Sequence, residues 1–192
     1  MDKGMTLVLG GARSGKSAFA QRMAEESGEK VCFLATAEAG DGEMLERIRK
    51  HRQSRPAHWD TLELAGGTKL VVNPSRTDIL LFDCFTVCLS NLMAVAGLDW
   101  PIEDEDLMPE SQAIELMNNT EQKALDLVDR LRRSTPKLII VSNEVGMGVV
   151  PAFRLGRIFR DLSGRLNQAL ADRADHVYFV IAGIPLSLKT TK

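Results

Sequence analysis

Cysteine, net charge and long apolar runs are all scarce in this sequence, and each shortage excludes something. The cysteines of the 192-residue chain, Cys32, Cys84 and Cys88, are odd in number, and Cys32 and Cys84 fall inside apolar strand-like runs. A disulfide framework is therefore excluded and buried, reduced thiols are expected. Cys84 and Cys88 are spaced C-x-x-x-C, but no second pair or nearby histidine completes a four-ligand metal set. Charge of one sign is lacking too: 24 Lys plus Arg stand against 26 Asp plus Glu. The overall field gives no reason to expect nucleic acid or an anionic membrane as partner. No segment approaches membrane-spanning length, and the short apolar run near the N-terminus leads straight into a glycine-rich loop, so it reads as a core strand and not a signal peptide. A cytoplasmic location is the expectation. With no repeat, low-complexity tract or linker, residues 1–192 are expected to form one domain.

What the sequence does contain is a series of short, nearly continuous apolar runs: TLVLG at 6–10, VCFLAT at 31–36, DILLFD at 78–83, KLIIVSNE at 137–144 and HVYFVIAG at 176–183. Most are followed by helical patterns, as strands of a parallel sheet covered on both faces would be, so a three-layer α/β fold is predicted. At 155–170, Leu155, Ile158, Phe159, Leu162, Leu166, Ala169 and Leu170 recur at steps of three and four, the stripe of a core-facing helix. Its Arg154, Arg157, Arg160 and Arg165 read as a solvated face. A second helix is predicted over 121–133, with Thr120 as N-cap and Pro136 beyond its end. The acidic, proline-containing stretch 97–112 has no clear period and reads as a surface excursion.

The chemistry begins with GGARSGKS, residues 10–17. Gly10, Gly15, Lys16 and Ser17 fill the fixed positions of G-x-x-x-x-G-K-[ST], with Gly11, Ala12, Arg13 and Ser14 between them. In that pattern backbone N–H groups wrap a polyphosphate, the lysine reaches its terminal phosphates and the hydroxyl ligates Mg²⁺. The loop follows a strand and opens a helix predicted at 17–26, so the phosphates would also meet a helix N-terminus. Asp83 ends an apolar strand, where a carboxylate is costly to bury unless it meets a cation; it is the candidate second Mg²⁺ ligand, the alternative being a helix N-cap.

The segment ERIRKHRQSRPAHW at 46–59 surrounds His51 with basic residues. If 43–53 is helical, Met44, Ile48 and His51 share a face. Neighbouring cations lower an imidazole's pKa and keep it nucleophilic, which makes His51 a candidate nucleophile; His58 is the competitor and His176 reads as structural. Glu144 follows a strand, where ligand sites of open α/β sheets form, and Gly146 and Gly148 would let backbone approach a ligand.

Taken together, GGARSGKS, ATA at 35–37, RIRKHRQSRPAHW, ILLFD, SNEVGMGVVP and the long segment from Arg154 to Lys189 resemble the bifunctional adenosylcobinamide kinase / adenosylcobinamide-phosphate guanylyltransferase family of cobalamin biosynthesis. The resemblance implies a RecA-like P-loop fold and two activities. The first is phosphorylation of adenosylcobinamide with ATP or GTP. The second is transfer of GMP from GTP to the product through a guanylylated histidine, His51 by its place in the motif. It implies nucleotide contacts at 10–17, at Ala35, Thr36 and Ala37, at Arg52, Gln53, Ser54 and Arg55, and at Glu63 and Asp83, with Mg²⁺ as cofactor. It also implies a corrinoid substrate and a homotrimer. Where members of the family often carry two adjacent histidines, this chain has Lys50 before His51. Two readings compete with this one: a plain small-molecule kinase, which would not need His51, and a nucleotide-gated switch with no small-molecule product.

Overall fold

The computed structural model describes residues 4–36, 49, 55–64, 77–98 and 109–190. Seven strands, β1 (Gly4–Gly10), β2 (Val31–Ala35), β3 (Asp60–Glu63), β4 (Ile79–Asp83), β5 (Lys137–Asn143), β6 (His176–Ile181) and β7 (Ile184–Thr190), form one sheet in the order β3-β2-β4-β5-β1-β6-β7. All neighbours are parallel except β6 and β7, which pair antiparallel. The strand that feeds the phosphate loop, β1, and the strand that ends in Asp83, β4, are separated by β5. That interposed strand gives the sheet the RecA-like arrangement.

Alternation along the strands sends side chains to two faces. Met5, Leu7 and Leu9 of β1, with Leu80 and Phe82 of β4, join a core beneath three helices: α2 (Phe85–Val95), α3 (Glu110–Ser134) and α4 (Arg154–Arg173). Val8, Phe33, Leu81 and Val141 face the other way, onto α1 (Lys16–Glu26) and the buried Trp59. On α4, Leu155, Leu162, Leu166 and Leu170 are buried, each stabilising the fold by about 1.5–3 kcal/mol. Ile158, Phe159 and Ala169 of the same stripe are half-buried. The arginines of that helix do more than face solvent. Arg165 pairs with Glu121 of α3 at 2.9 Å, and Arg157 donates to the carbonyls of Pro151 and Ala152.

Three expectations are corrected. The helix expected at 121–133 begins at Glu110, after Pro109, and Thr120 lies buried within it. The Thr120 hydroxyl donates to the Leu116 carbonyl at 2.7 Å, the internal back-bond of a mid-helix threonine, so it caps nothing. The surface stretch expected at 97–112 is split accordingly. Gly97 takes φ +91° after α2, Leu98 is buried, residues 110–112 are helical, and 99–108 lie outside the described residues. Strands β3 and β7 escape the apolar-run reading because both are edge strands, largely exposed, and β7 carries Pro185. The three thiols are free, as expected. Burial pushes Cys32 up to about 11 and Cys88 up to about 12. Among the described residues no helix is long and apolar enough to cross a membrane.

Candidate active site

Strand ends β1, β2, β4 and β5 meet at one edge of the sheet, and the phosphate loop closes over that edge. Gly10 must be glycine, because a Cβ there would lie 2.6 Å from the Val180 carbonyl oxygen and 2.5 Å from Ser14 Oγ. Arg13 and Gly15 both take positive φ, +56° and +92°, which turns the chain back on itself before α1 starts. The loop is held from two sides. On one, the Glu144 amide donates to the Gly10 carbonyl at 3.0 Å; on the other, the Gly183 amide donates to the Ser14 carbonyl at 2.7 Å. Gly183 is the second residue of a two-residue hairpin turn between β6 and β7, with Ala182 at φ +50° and Gly183 at φ +81°.

The start of α1 has no side-chain cap and no acidic residue in its first turn. Its free N–H groups and the positive end of its dipole are therefore left for an anion. Lys16, only 7% exposed, donates to the Gly11 carbonyl at 3.0 Å. Burial is the largest influence on this ammonium and lowers its pKa, opposed by Cys84 and by the Asp83 carboxylate. An anion brought to this site would relieve the cost of burying the lysine's charge.

Asp83, Ala35 and Glu63 lie in one row, since Ala35 is in register with Asp83 on one side and with Glu63 on the other. Helix α2 starts after Cys84, which makes no side-chain cap, so the N-cap alternative for Asp83 does not hold. The hydroxyl of Ser17 and the carboxylate of Asp83 are hard oxygen donors of the kind Mg²⁺ takes. Thr36 is 2% exposed and works as a strut: its hydroxyl donates to the Cys84 carbonyl at 2.9 Å and accepts from the Cys84 amide at 3.1 Å. The Arg55 guanidinium stacks on Phe33, 3.4 Å from the ring centre. His58 is exposed, and His176 opens β6. Glu144 accepts a hydrogen bond from the Gly146 amide at 2.5 Å, which folds the start of the glycine loop. Ala37, Lys50, His51, Arg52, Gln53 and Ser54 lie outside the described residues.

Sequence reasoning missed a polar network beneath these groups. Asn143 ends β5 opposite Gly10 and donates through Nδ2 to Thr86 Oγ1 at 2.6 Å. Thr86 Oγ1 is also 3.1 Å from Cys84 Sγ. On the far side, Asn167 of α4 donates to the Asn143 carbonyl at 3.0 Å and accepts from Ser142 Oγ at 2.7 Å. The one available signal was SNE ending an otherwise apolar strand. Asn167, inside a helical stripe, gave none.

Comparison with known proteins finds relatives over nearly the whole chain. Residues 6–188 match the family described as cobinamide kinase / cobinamide phosphate guanyltransferase. The bifunctional adenosylcobalamin biosynthesis protein CobP of Pseudomonas aeruginosa is 44% identical over 95% of this chain and 96% of its own. The protein of the same description named CobU, from Escherichia coli, is 40% identical over 96% of this chain and 99% of its own. Among solved structures, the flagellar accessory protein FlaH of Methanocaldococcus jannaschii is 12% identical, with a TM-score of 0.46 over 98% of this chain and 79% of that one. The fold assignment rests on the strand order described above.

Proposed function

The chain belongs to the cobinamide kinase / cobinamide phosphate guanyltransferase family, and from that premise we propose that a single phosphate loop serves two successive reactions in adenosylcobalamin biosynthesis. In the first, the loop holds the triphosphate of ATP or GTP while the hydroxyl of adenosylcobinamide attacks the γ-phosphorus. The new O–P bond forms as the β–γ bridge breaks, the nucleoside diphosphate leaves, and the hydroxyl proton passes to solvent or to Glu144. In the second, a nitrogen of His51 attacks the α-phosphorus of GTP, the α–β bridge breaks and pyrophosphate leaves. A phosphate oxygen of adenosylcobinamide phosphate then attacks the same phosphorus, the P–N bond breaks, and adenosylcobinamide-GDP is released with His51 restored.

The observation that carries this reading is the uncapped start of α1 with the buried Lys16 beside it and Asp83 at a nearby strand end. Lys16 and the loop amides bind the β- and γ-phosphates in both reactions, as partners of a leaving diphosphate in one and of leaving pyrophosphate in the other. Ser17 and Asp83 are the residues that would hold Mg²⁺, whose contribution when bound is to neutralise charge on the phosphate oxygens. Thr36, Arg55 and Glu63, with Ala35, Ala37, Arg52, Gln53 and Ser54, complete the nucleotide contacts. The enzyme is taken to be a cytoplasmic, one-domain protein that assembles as a homotrimer. The exposed apolar side chains of Ile184, Leu186 and Leu188 on edge strand β7 support an assembled state.

The test is to incubate the protein with Mg²⁺ and GTP labelled in turn at the α- and γ-phosphate, for wild type and His51→Ala. Acid-labile, alkali-stable α-label on wild type and none on the variant is the expected result. No α-label on either protein would leave a plain kinase or a switch, and label persisting on the variant would move the nucleophile to His58.

A further inference from the structure

The hairpin of β6 and β7 meets the phosphate loop more closely than its own pairing requires. Val180 of β6 is in register with Gly10 of β1, and its carbonyl oxygen would lie 2.6 Å from a Cβ on Gly10. At the other end of the loop, a Cβ on Gly15 would lie 3.0 Å from Gly183 Cα. Between these contacts the Gly183 amide donates to the Ser14 carbonyl at 2.7 Å. The closing pair of the turn is Ile181 and Ile184. In such a turn the hydrogen bond joins those two residues and leaves the N–H of the second turn residue spare. Gly183 gives that spare donor to the loop.

What the bond fixes is the direction of the next N–H along the chain. The Ser14–Gly15 peptide is trans and planar, so its carbonyl and its N–H point in opposite directions. With the carbonyl turned out to Gly183, the Gly15 N–H faces away from the hairpin. Among the described residues nothing accepts it. This amide lies directly before the uncapped start of α1 and beside the buried Lys16 in sequence. Rotating the peptide would exchange its two groups and set a carbonyl oxygen, in place of a donor, against an arriving anion. Ser14 is fitted on its side-chain side as well, since its Oγ would lie 2.5 Å from a Cβ on Gly10 and occupies the space that glycine leaves.

We propose that Gly183 is a positioning residue for the phosphate loop: its N–H holds the Ser14 carbonyl outward and so keeps the Gly15 N–H aimed at a polyphosphate oxygen. The inference rests on the reading of residues 10–17 as the triphosphate cradle. It makes the β6–β7 turn part of the nucleotide site without contact to the nucleotide. A donor already aimed needs no reorganisation when the anion arrives, so the contribution appears as affinity for the β- and γ-phosphates and is shared by both reactions. By reciprocity, a bound polyphosphate holds the hydrogen bond from Gly183 more firmly closed.

The experiment is equilibrium binding of GTP, inorganic tripolyphosphate and GMP, with Mg²⁺ present, to wild type, Gly183→Pro and Gly183→Asn. Proline has no N–H. Gly183→Pro is therefore expected to weaken GTP and tripolyphosphate about tenfold to a hundredfold, the range for a hydrogen bond that serves a charged group, and GMP by no more than about threefold. Asparagine keeps the N–H and tolerates positive φ, and is expected to recover most of that loss. A variant that merely loses structure weakens GMP as much as GTP. A second measurement needs no substitution: in wild type carrying isotope-labelled glycine, exchange of the Gly183 amide proton with solvent is expected to slow about tenfold when tripolyphosphate binds. Should the proline variant not fold, this measurement decides alone. A folded Gly183→Pro with no selective loss, or exchange unchanged by tripolyphosphate, would overturn the inference while leaving the cradle reading intact. Wild type that binds neither GTP nor tripolyphosphate would overturn that reading, and the inference with it.

Discussion

The phosphate loop at 10–17 and the loop at 144–153 leave neighbouring strands, β1 and β5, at the same edge of the sheet, and they treat apolar and polar groups in opposite ways. The first draws a lysine down to 7% exposure and is braced by backbone hydrogen bonds from Glu144 and Gly183. The second is tied at its two ends, by the Glu144 carboxylate and by Arg157. Between those ties it exposes Met147 at 81%, Val149 at 93% and Val150 at 59%, with Phe153 at 68%. One loop is organised in advance for a small anion, and its charge is costly until that anion arrives. The other leaves a group of apolar side chains in water. Both are glycine-containing loops at strand ends, so composition does not separate them. What separates them is what each chain end is tied to.

The sharpest way to break this contrast is at Lys16. Lys16→Ala removes the cation that the first loop is built around, and both the kinase and the guanylyl-transfer turnovers are expected to fall on the order of a thousandfold, read by product formation from ATP and from GTP. The next effect is smaller and structural. Gly10→Ala sets a methyl against the Val180 carbonyl oxygen, so the bracing must shift. A loss of about 1–3 kcal/mol in stability or nucleotide affinity is expected, measured by thermal denaturation with and without GTP. A fall in neither would mean that the cradle is soft.

At the second loop the same measurements should barely move. Met147→Ser combined with Val149→Ser is expected to change stability by less than about 0.5 kcal/mol, because neither side chain is buried. GTP binding should be unaltered, while the KM for cobinamide or the association state shifts. Unaltered values of both would deny the loop a contact role. The smallest effect is expected at the thiols. Burial holds Cys32 at about 11 and Cys88 at about 12, and burial with the Asp83 charge also raises Cys84. All three are therefore protonated at neutral pH, and alkylation of the native enzyme at pH 7 should label none of them, against three after denaturation. Rapid labelling of Cys84 would show that its surroundings open.

Much of the first loop was legible in the sequence because phosphate chemistry fixes residue types at fixed spacing. Gly10, Gly15, Lys16 and Ser17 could be read directly, as could the five buried parallel strands, whose apolar runs need no partner to be recognised. The braces could not. Gly183 reaches Ser14, Thr86 reaches Asn143 and Asn167 reaches Asn143 across long stretches of chain, by hydrogen bonds whose donors and acceptors are ordinary residues with no local pattern. Edge strands β3 and β7 were lost for the opposite reason: exposure removes the apolar periodicity by which a strand is read. His51 was named as candidate nucleophile from its basic surroundings and its motif, and its neighbourhood at 50–54 lies outside the described residues.

The central claim is that one nucleotide site serves both reactions, and equilibrium binding tests it most directly. With Mg²⁺ present, the number of molecules of a non-hydrolysable GTP analogue bound per chain is measured, first alone and then against a rising concentration of a non-hydrolysable ATP analogue. The account predicts one molecule per chain and displacement of one analogue by the other. Two molecules per chain, or the two analogues bound together, would contradict it.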